Sequence, residues 1–175
     1  PLKKYMKEDL ELDLDEHLHP VFTEAGLREA MDRAGAVADY TKEEHGAKGP
    51  HFSTLFIFDD SMNDGSLRHS RAFSDAFVMG RHDFLSVLWL CHSWRQGLHP
   101  TCRKQLSAPH CFRLRNSADR AALFGKGGEL SALRNSEELE AAYETATAEP
   151  YGWLNVSLSQ KDPKRMLRNQ FGAFL

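Results

Sequence analysis

Asp59 and Asp60 are adjacent carboxylates at the end of an uninterrupted apolar run, Leu55-Phe56-Ile57-Phe58. A short continuous apolar run of this kind reads as a strand buried on both faces. Charge at its end costs free energy unless it is solvated, paired or holding a cation. In an open α/β sheet, ligands sit beyond the carboxyl ends of the strands. The pair is therefore placed to hold a divalent ion. The same residues also suit an ordinary buried strand that ends at an Asp-capped turn. Other chemistry-bearing groups follow at Gly80-Arg81-His82, Cys91-His92, His99, Cys102-Arg103 and His110-Cys111. The spacing of these Cys and His residues matches no zinc knuckle, and a strand Cys such as Cys91 is ordinarily a small buried hydrophobe. Trp89, Trp94 and Trp153 could stack on bases or fill a core.

The elements that position these groups follow from periodicity and caps. Thr23 can cap a helix over Glu24–His45, with Leu27, Ala30, Met31, Ala34, Val37 and Ala38 at helical spacing. Gly46 suits its end, and Gly49-Pro50 breaks the chain. Thr54–Phe58 reads as a strand, 67–80 as a helix and 84–91 as a second, nearly continuous apolar strand. Such runs suit parallel strands covered on both faces, so the spacing predicts a βαβ unit. A third short strand is expected at 111–114 beside the first two. Helices capped by Ser117 and Ser136 and a last strand over 153–158 complete the reading. It divides the chain into a charged segment (1–22), a main domain (23–160) and a tail (161–175).

The chain has 175 residues, 41% hydrophobic and 27% charged, as in a soluble globular domain. No apolar run approaches the ~20 residues of a membrane span, and the N-terminus lacks the apolar block of a secretory signal. Three cysteines suggest no disulfide framework, which fits a reducing, intracellular setting. The net charge of −3 is unevenly spread: residues 1–66 carry −8, 67–135 carry +7 and 136–175 carry −2. The basic middle can face phosphates of a nucleotide or nucleic acid, or pair with the acidic first third.

The ordered series FIFDD, MGRHDFLSVLWLCHSW, HPTCRKQ and HCFRLR, over residues 52–116, resembles the packaging ATPases of large DNA viruses. These are poxvirus-type members of the FtsK/HerA superfamily of P-loop ATPases. In that light LFIFDD has the form of a Walker B strand. The resemblance implies an α/β, P-loop NTPase-like three-layer sandwich with a mainly parallel sheet. It implies ATP and Mg²⁺ as cofactors, double-stranded DNA as partner, assembly into a homo-oligomeric ring, and contact with a capsid or portal protein. The setting would be the host cytoplasm or a virus factory, or association with the virion, with no membrane.

Site roles carry over residue by residue. Asp59 would hold Mg²⁺. Asp60 would touch the bound cofactor and polarise the attacking water, although Asp is one methylene shorter than the Glu of wider relatives. Arg81 is implied as an arginine acting across a subunit boundary, with Arg103 as a second candidate; each could equally be an ordinary surface or paired arginine. His92 stands where the family often has Gln and would sense phosphate or orient water. His82 packs or hydrogen-bonds locally.

A P-loop enzyme also needs GxxxxGK[ST] before the Walker B strand. The sequence has none. The nearest lookalike, Phe124 to Gly128, has Arg120 in place of the first Gly and Gly127 in place of Ser/Thr. The expectation is that the first strand and P-loop precede residue 1 and that the chain is the C-terminal part of the core. The alternatives are a catalytically silent nucleic-acid- or protein-binding remnant of the fold, and another P-loop NTPase such as a helicase or partitioning ATPase.

Overall fold

The computed structural model describes residues 17–46, 52–59 and 65–175. Helix α1 (Glu24–His45) starts where Thr23 Oγ1 accepts the Gly26 N–H at 3.1 Å. It ends at Gly46, whose φ of 69° suits glycine. Strand β1 (Thr54–Phe58) is followed by α2 (Gly65–His69), α3 (Arg71–Met79), a 3₁₀ turn (Gly80–Asp83) and β2 (Leu85–Trp89). Two short helices, α4 (Trp94–Gly97) and α5 (Pro100–Arg103), lead to β3 (His110–Phe112). Then come α6 (Ser117–Phe124), α7 (Ser136–Ala146), β4 (Trp153–Val156), a second 3₁₀ turn (Pro163–Arg165) and β5 (Leu167–Asn169).

β1 and β2 pair in parallel, Thr54 opposite Leu85 through Phe58 opposite Trp89. The expected βαβ unit is therefore present, and the chain is a mixed α/β structure. Among the described residues the crossover has two helices and not one. Ser70 interrupts the run, and its hydroxyl accepts the Phe73 N–H at 3.0 Å to start α3. The Glu24 carboxylate accepts bonds from the Ser70 hydroxyl and from the Ala72 N–H at 3.0 Å, which ties the first turn of α1 to the start of α3. Those bonds, the Ser70 one foremost, hold the Glu24 carboxyl below its ordinary pKa.

One face of the parallel pair packs on the helices. Phe58, Phe73 and Phe77 form a chain of edge-on rings at 4.9 and 5.1 Å, joined by Leu27, Leu67, Ala72 and Leu98. The opposite face is open: Leu55 is 55% and Ile57 51% exposed. Double-sided burial, expected from the continuous apolar run, is thus not observed among the described residues. Val37, placed on the buried side of α1 by periodicity, is exposed, while Thr41 is buried and donates its hydroxyl to the Val37 carbonyl at 2.7 Å.

The 110–112 segment does not join the parallel pair. β3 runs antiparallel to β4, Cys111 opposite Leu154, and β4 runs antiparallel to β5, Val156 opposite Leu167. The local apolar pattern that marked the strand carries no information about its partner. The inner face of this second sheet packs on Leu123, Phe124, Leu139 and Tyr143 from α6 and α7. The Tyr143 hydroxyl accepts the Leu114 N–H at 2.5 Å and donates to the Phe112 carbonyl at 3.2 Å. Asn116 and Asn135, each one residue before the expected serines, are the caps of α6 and α7. β5 lies in the segment read as a tail.

Two substitutions separate the faces of the parallel pair. Phe73→Ala, in the ring chain, should cost about 3–5 kcal/mol. Ile57→Thr, on the open face, should stay within about 0.5 kcal/mol. Urea denaturation of the two variants measures both.

Candidate functional site at the carboxyl ends of the parallel strands

The parallel pairing brings the carboxyl ends of β1 and β2 side by side. Asp59 follows β1 directly and is exposed. The ladder runs one residue beyond β2, where the Leu90 N–H donates to the Phe58 carbonyl at 2.9 Å. Cys91, exposed His92 and Ser93 then lead into α4, whose start is capped by the Ser93 hydroxyl accepting from Gln96 N–H at 3.4 Å. Asp59 and the His92 loop therefore share one end of the sheet. Asp60 lies outside the described residues.

Arg81 is at the other end. It sits in the 3₁₀ turn that enters β2, beside the start of β1, where the Thr54 N–H donates to the Phe84 carbonyl at 3.2 Å. Five-residue strands separate the two ends by about 13 Å. Arg81 is exposed. Within one chain it does not converge with Asp59. Arg103 is held structurally: its side chain is only 14% exposed and lies 3.2 Å from Glu129. It donates to the Trp94 carbonyl at 3.1 Å and stacks over the Trp94 ring at 5.8 Å. These contacts anchor Arg103 between α4 and Glu129.

Residues that sequence reasoning missed gather beside the His92 loop. A cavity of about 220 Å³ is lined by Arg68, Ser93, Arg95, Gln96, Asn116 and Asp119. Asp119, in the first turn of α6, is buried; its Oδ1 accepts the Arg95 N–H at 3.0 Å. Its Oδ2 and the Arg68 Nε are buried with no hydrogen-bond partner among the described residues. Two guanidinium side chains beside a carboxylate can take an anion that carries a donor group. In sequence, Asp119 reads as an ordinary first-turn acid, and nothing local links it to residues 68 and 95.

The Phe124 to Gly128 lookalike is no phosphate cradle. It follows the carboxyl end of α6, where the helix dipole is negative. Two of its N–H groups are already used: Gly125 donates to Ala121 O at 3.0 Å and Gly128 to Gly125 O at 2.7 Å. An exposed carboxylate such as Asp59 fits Mg²⁺, which takes one or two carboxylates together with substrate phosphates and water. The described residues offer no cradle that fits the nucleotide itself. They also contain no group of three or more His, Cys, Asp or Glu able to hold a metal ion by themselves. No helix among them is long and apolar enough to cross a membrane.

No family model, curated protein or solved structure matches this chain.

Burial pushes the Cys91 thiol up to about 11 and the Cys111 thiol up to about 12 from an ordinary 9.0; it also raises Cys102. All three stay protonated near neutrality, so none is an activated nucleophile. Native protein should react slowly with a thiol-specific disulfide reagent at pH 8, and all three thiols should react at once in urea. The folded thiols bind their protons more tightly than the unfolded ones. Their contribution to stability is therefore complete below about pH 9 and is lost as pH rises towards 11. Urea titrations across that interval should show a falling midpoint, less steep in Cys91→Ala.

Proposed function

We propose that this chain is the Walker B and downstream part of an ATP-driven motor that moves double-stranded DNA into viral capsids. The observation that carries the reading is the parallel pair itself: an acid-terminated strand whose neighbour, reached through a helical crossover, delivers His92 to the same end. Asp59 would bind the Mg²⁺ of the nucleotide, with Asp60 beside it. The placement of Arg81 at the far end of the sheet suits action on a neighbouring subunit better than on its own. Ring assembly and a capsid or portal partner belong to this reading. Arg103, anchored by Glu129 and the Trp94 carbonyl, is the weaker candidate for that trans-acting role. A P-loop NTPase fold would require a strand-GxxxxGK[ST]-helix segment in addition to residues 1–175.

The lack of a cradle among the described residues favours a second reading, a catalytically silent module that binds nucleic acid or protein on the same fold. ATP hydrolysis separates the two. The chain alone should neither bind Mg-ATP tightly nor turn it over, and a rate that depended on Asp59 would refute that expectation. With the P-loop segment supplied, Asp59→Ala should abolish Mg²⁺-dependent turnover. Arg81→Ala should spare nucleotide binding yet cut hydrolysis by about 10³-fold or more, because such an arginine acts when charge develops in the transition state. Mixing the two variants should recover activity at boundaries where an intact Asp59 faces an intact Arg81. Rings that assemble and bind nucleotide but stay inactive after mixing would exclude the trans role. A complete assembly with no ATPase activity would favour the silent module.

A further inference from the structure

We propose that the outer face of the antiparallel sheet is a stacking platform for single-stranded nucleic acid. Directly opposed residues of an antiparallel pair project on the same face. His110 faces Asn155, Phe112 faces Trp153, and Arg168 faces Asn155 from the other side. Because Cys111, Leu154 and Leu167 are buried against α6 and α7, this second set lies on the opposite face, where Asn155 is itself covered.

The outward rings form one run. Phe112 lies 5.4 Å from Trp153, Trp153 lies 5.6 Å from Phe171, and Phe171 lies 5.8 Å from His110. Phe112 is 54% exposed and Phe171 71%. An aromatic cluster this open is the kind of surface that marks an interaction site.

The backbone is bent to make the run. Gln170 holds a left-handed φ of 54°, and its N–H donates to the Trp153 carbonyl at 3.0 Å, which folds Phe171 back over the sheet. Tyr151, two residues before Trp153, is also left-handed at 63°. Non-glycine residues in that region carry a conformational cost, and such costs concentrate at functional sites.

Charge selects the partner. Residues 107–116 and 151–175, which carry all three strands, contain Arg113, Arg115, Lys161, Lys164, Arg165 and Arg168 against a single acid, Asp162. Arg168 and Arg165 stack on Phe174 at 4.2 and 5.8 Å, while Arg113 and Arg115 extend from the end of β3 and are exposed. Exposed rings flanked by guanidinium groups match unpaired bases joined by phosphates, since every base offers a ring face and every linkage a negative charge. A duplex hides its base faces and offers only phosphates. The platform lies on a different sheet from Asp59 and needs no nucleotide, so this inference stands apart from the ATPase reading.

Fluorescence anisotropy of the full chain with labelled oligo-dT and oligo-U of about 15 nucleotides, and a mixed duplex of about the same length, tests it; that length spans one stacking site of this kind. Both single strands should bind more tightly than the duplex, and the ratio between oligo-dT and oligo-U tells which sugar is preferred. Phe171→Ala and Phe112→Ala should each weaken single-strand binding about tenfold, as expected for loss of one stacking ring, while Phe171→Trp restores it. Arg113→Gln with Arg115→Gln should lower affinity and flatten its dependence on salt. Urea midpoints unchanged from wild type show that the exposed-site variants remain folded. Absence of binding, wild-type binding by the Phe112→Ala/Phe171→Ala double variant, or equal affinity for duplex overturns the proposal. So does sedimentation showing a self-associated chain that the double variant converts to monomer with oligonucleotide binding unaltered.

Discussion

Parallel pairing of β1 with β2 is the constraint on which the first half of the structure depends. Parallel neighbours cannot be joined by a tight turn; the chain must travel back along the sheet before the second strand begins. Here the return is made by α2 and α3, and their apolar side has to rest on the strands. Phe58, Phe73 and Phe77 are that contact. The Glu24 carboxylate then fixes α1 on the same layer by satisfying the start of α3. Once this packing is set, Asp59 and His92 must emerge together and Arg81 must emerge at the opposite end.

The second half is organised around Tyr143. Its ring lies 4.7 Å from Phe124, and the Arg120 guanidinium covers its edge of the core at 5.2 Å. Its hydroxyl satisfies the Phe112 carbonyl and the Leu114 N–H at the end of β3. The two halves meet at α4. Gly97 lies so close to Trp89 that a Cβ would come within 2.1 Å of the indole, and the Arg95 N–H reaches across to Asp119. The cavity beside the His92 loop exists because these halves touch there.

What the sequence made legible was local. Thr23, the helix to His45, the strand at 54–58 and the parallel pair all follow from caps, periodicity and spacing. Ser70 shows how a cap inside a helical stretch is overlooked: its preference for the start of a helix outweighs the continuity of the helical pattern from 67 to 80. At 116–117 and 135–136 two adjacent residues can each cap, and the choice of Asn depends on backbone geometry invisible in the residue types. The antiparallel partnership of β3 was not legible, since so short a strand cannot specify a neighbour so distant in sequence. Asp119 and Arg68 were hidden for the same reason.

The open side of the parallel pair gives Asp59 a second meaning. Thr54 to Phe58 is a short, mostly β-branched and aromatic run without Pro, Gly or charge, and two of its five residues, Leu55 and Ile57, are exposed. Runs of this composition recruit like strands from other molecules when an edge is free. Charge directly after such a run is the kind of residue that opposes stacking of like strands, and Asp59 and Asp60 supply it. Neutralising Asp59 to test the proposed Mg²⁺ role therefore also removes half of that charge. Its effect on chemistry can be read only at concentrations where the variant remains dispersed, or in a background such as Ile57→Lys that restores repulsion on the exposed side of the strand.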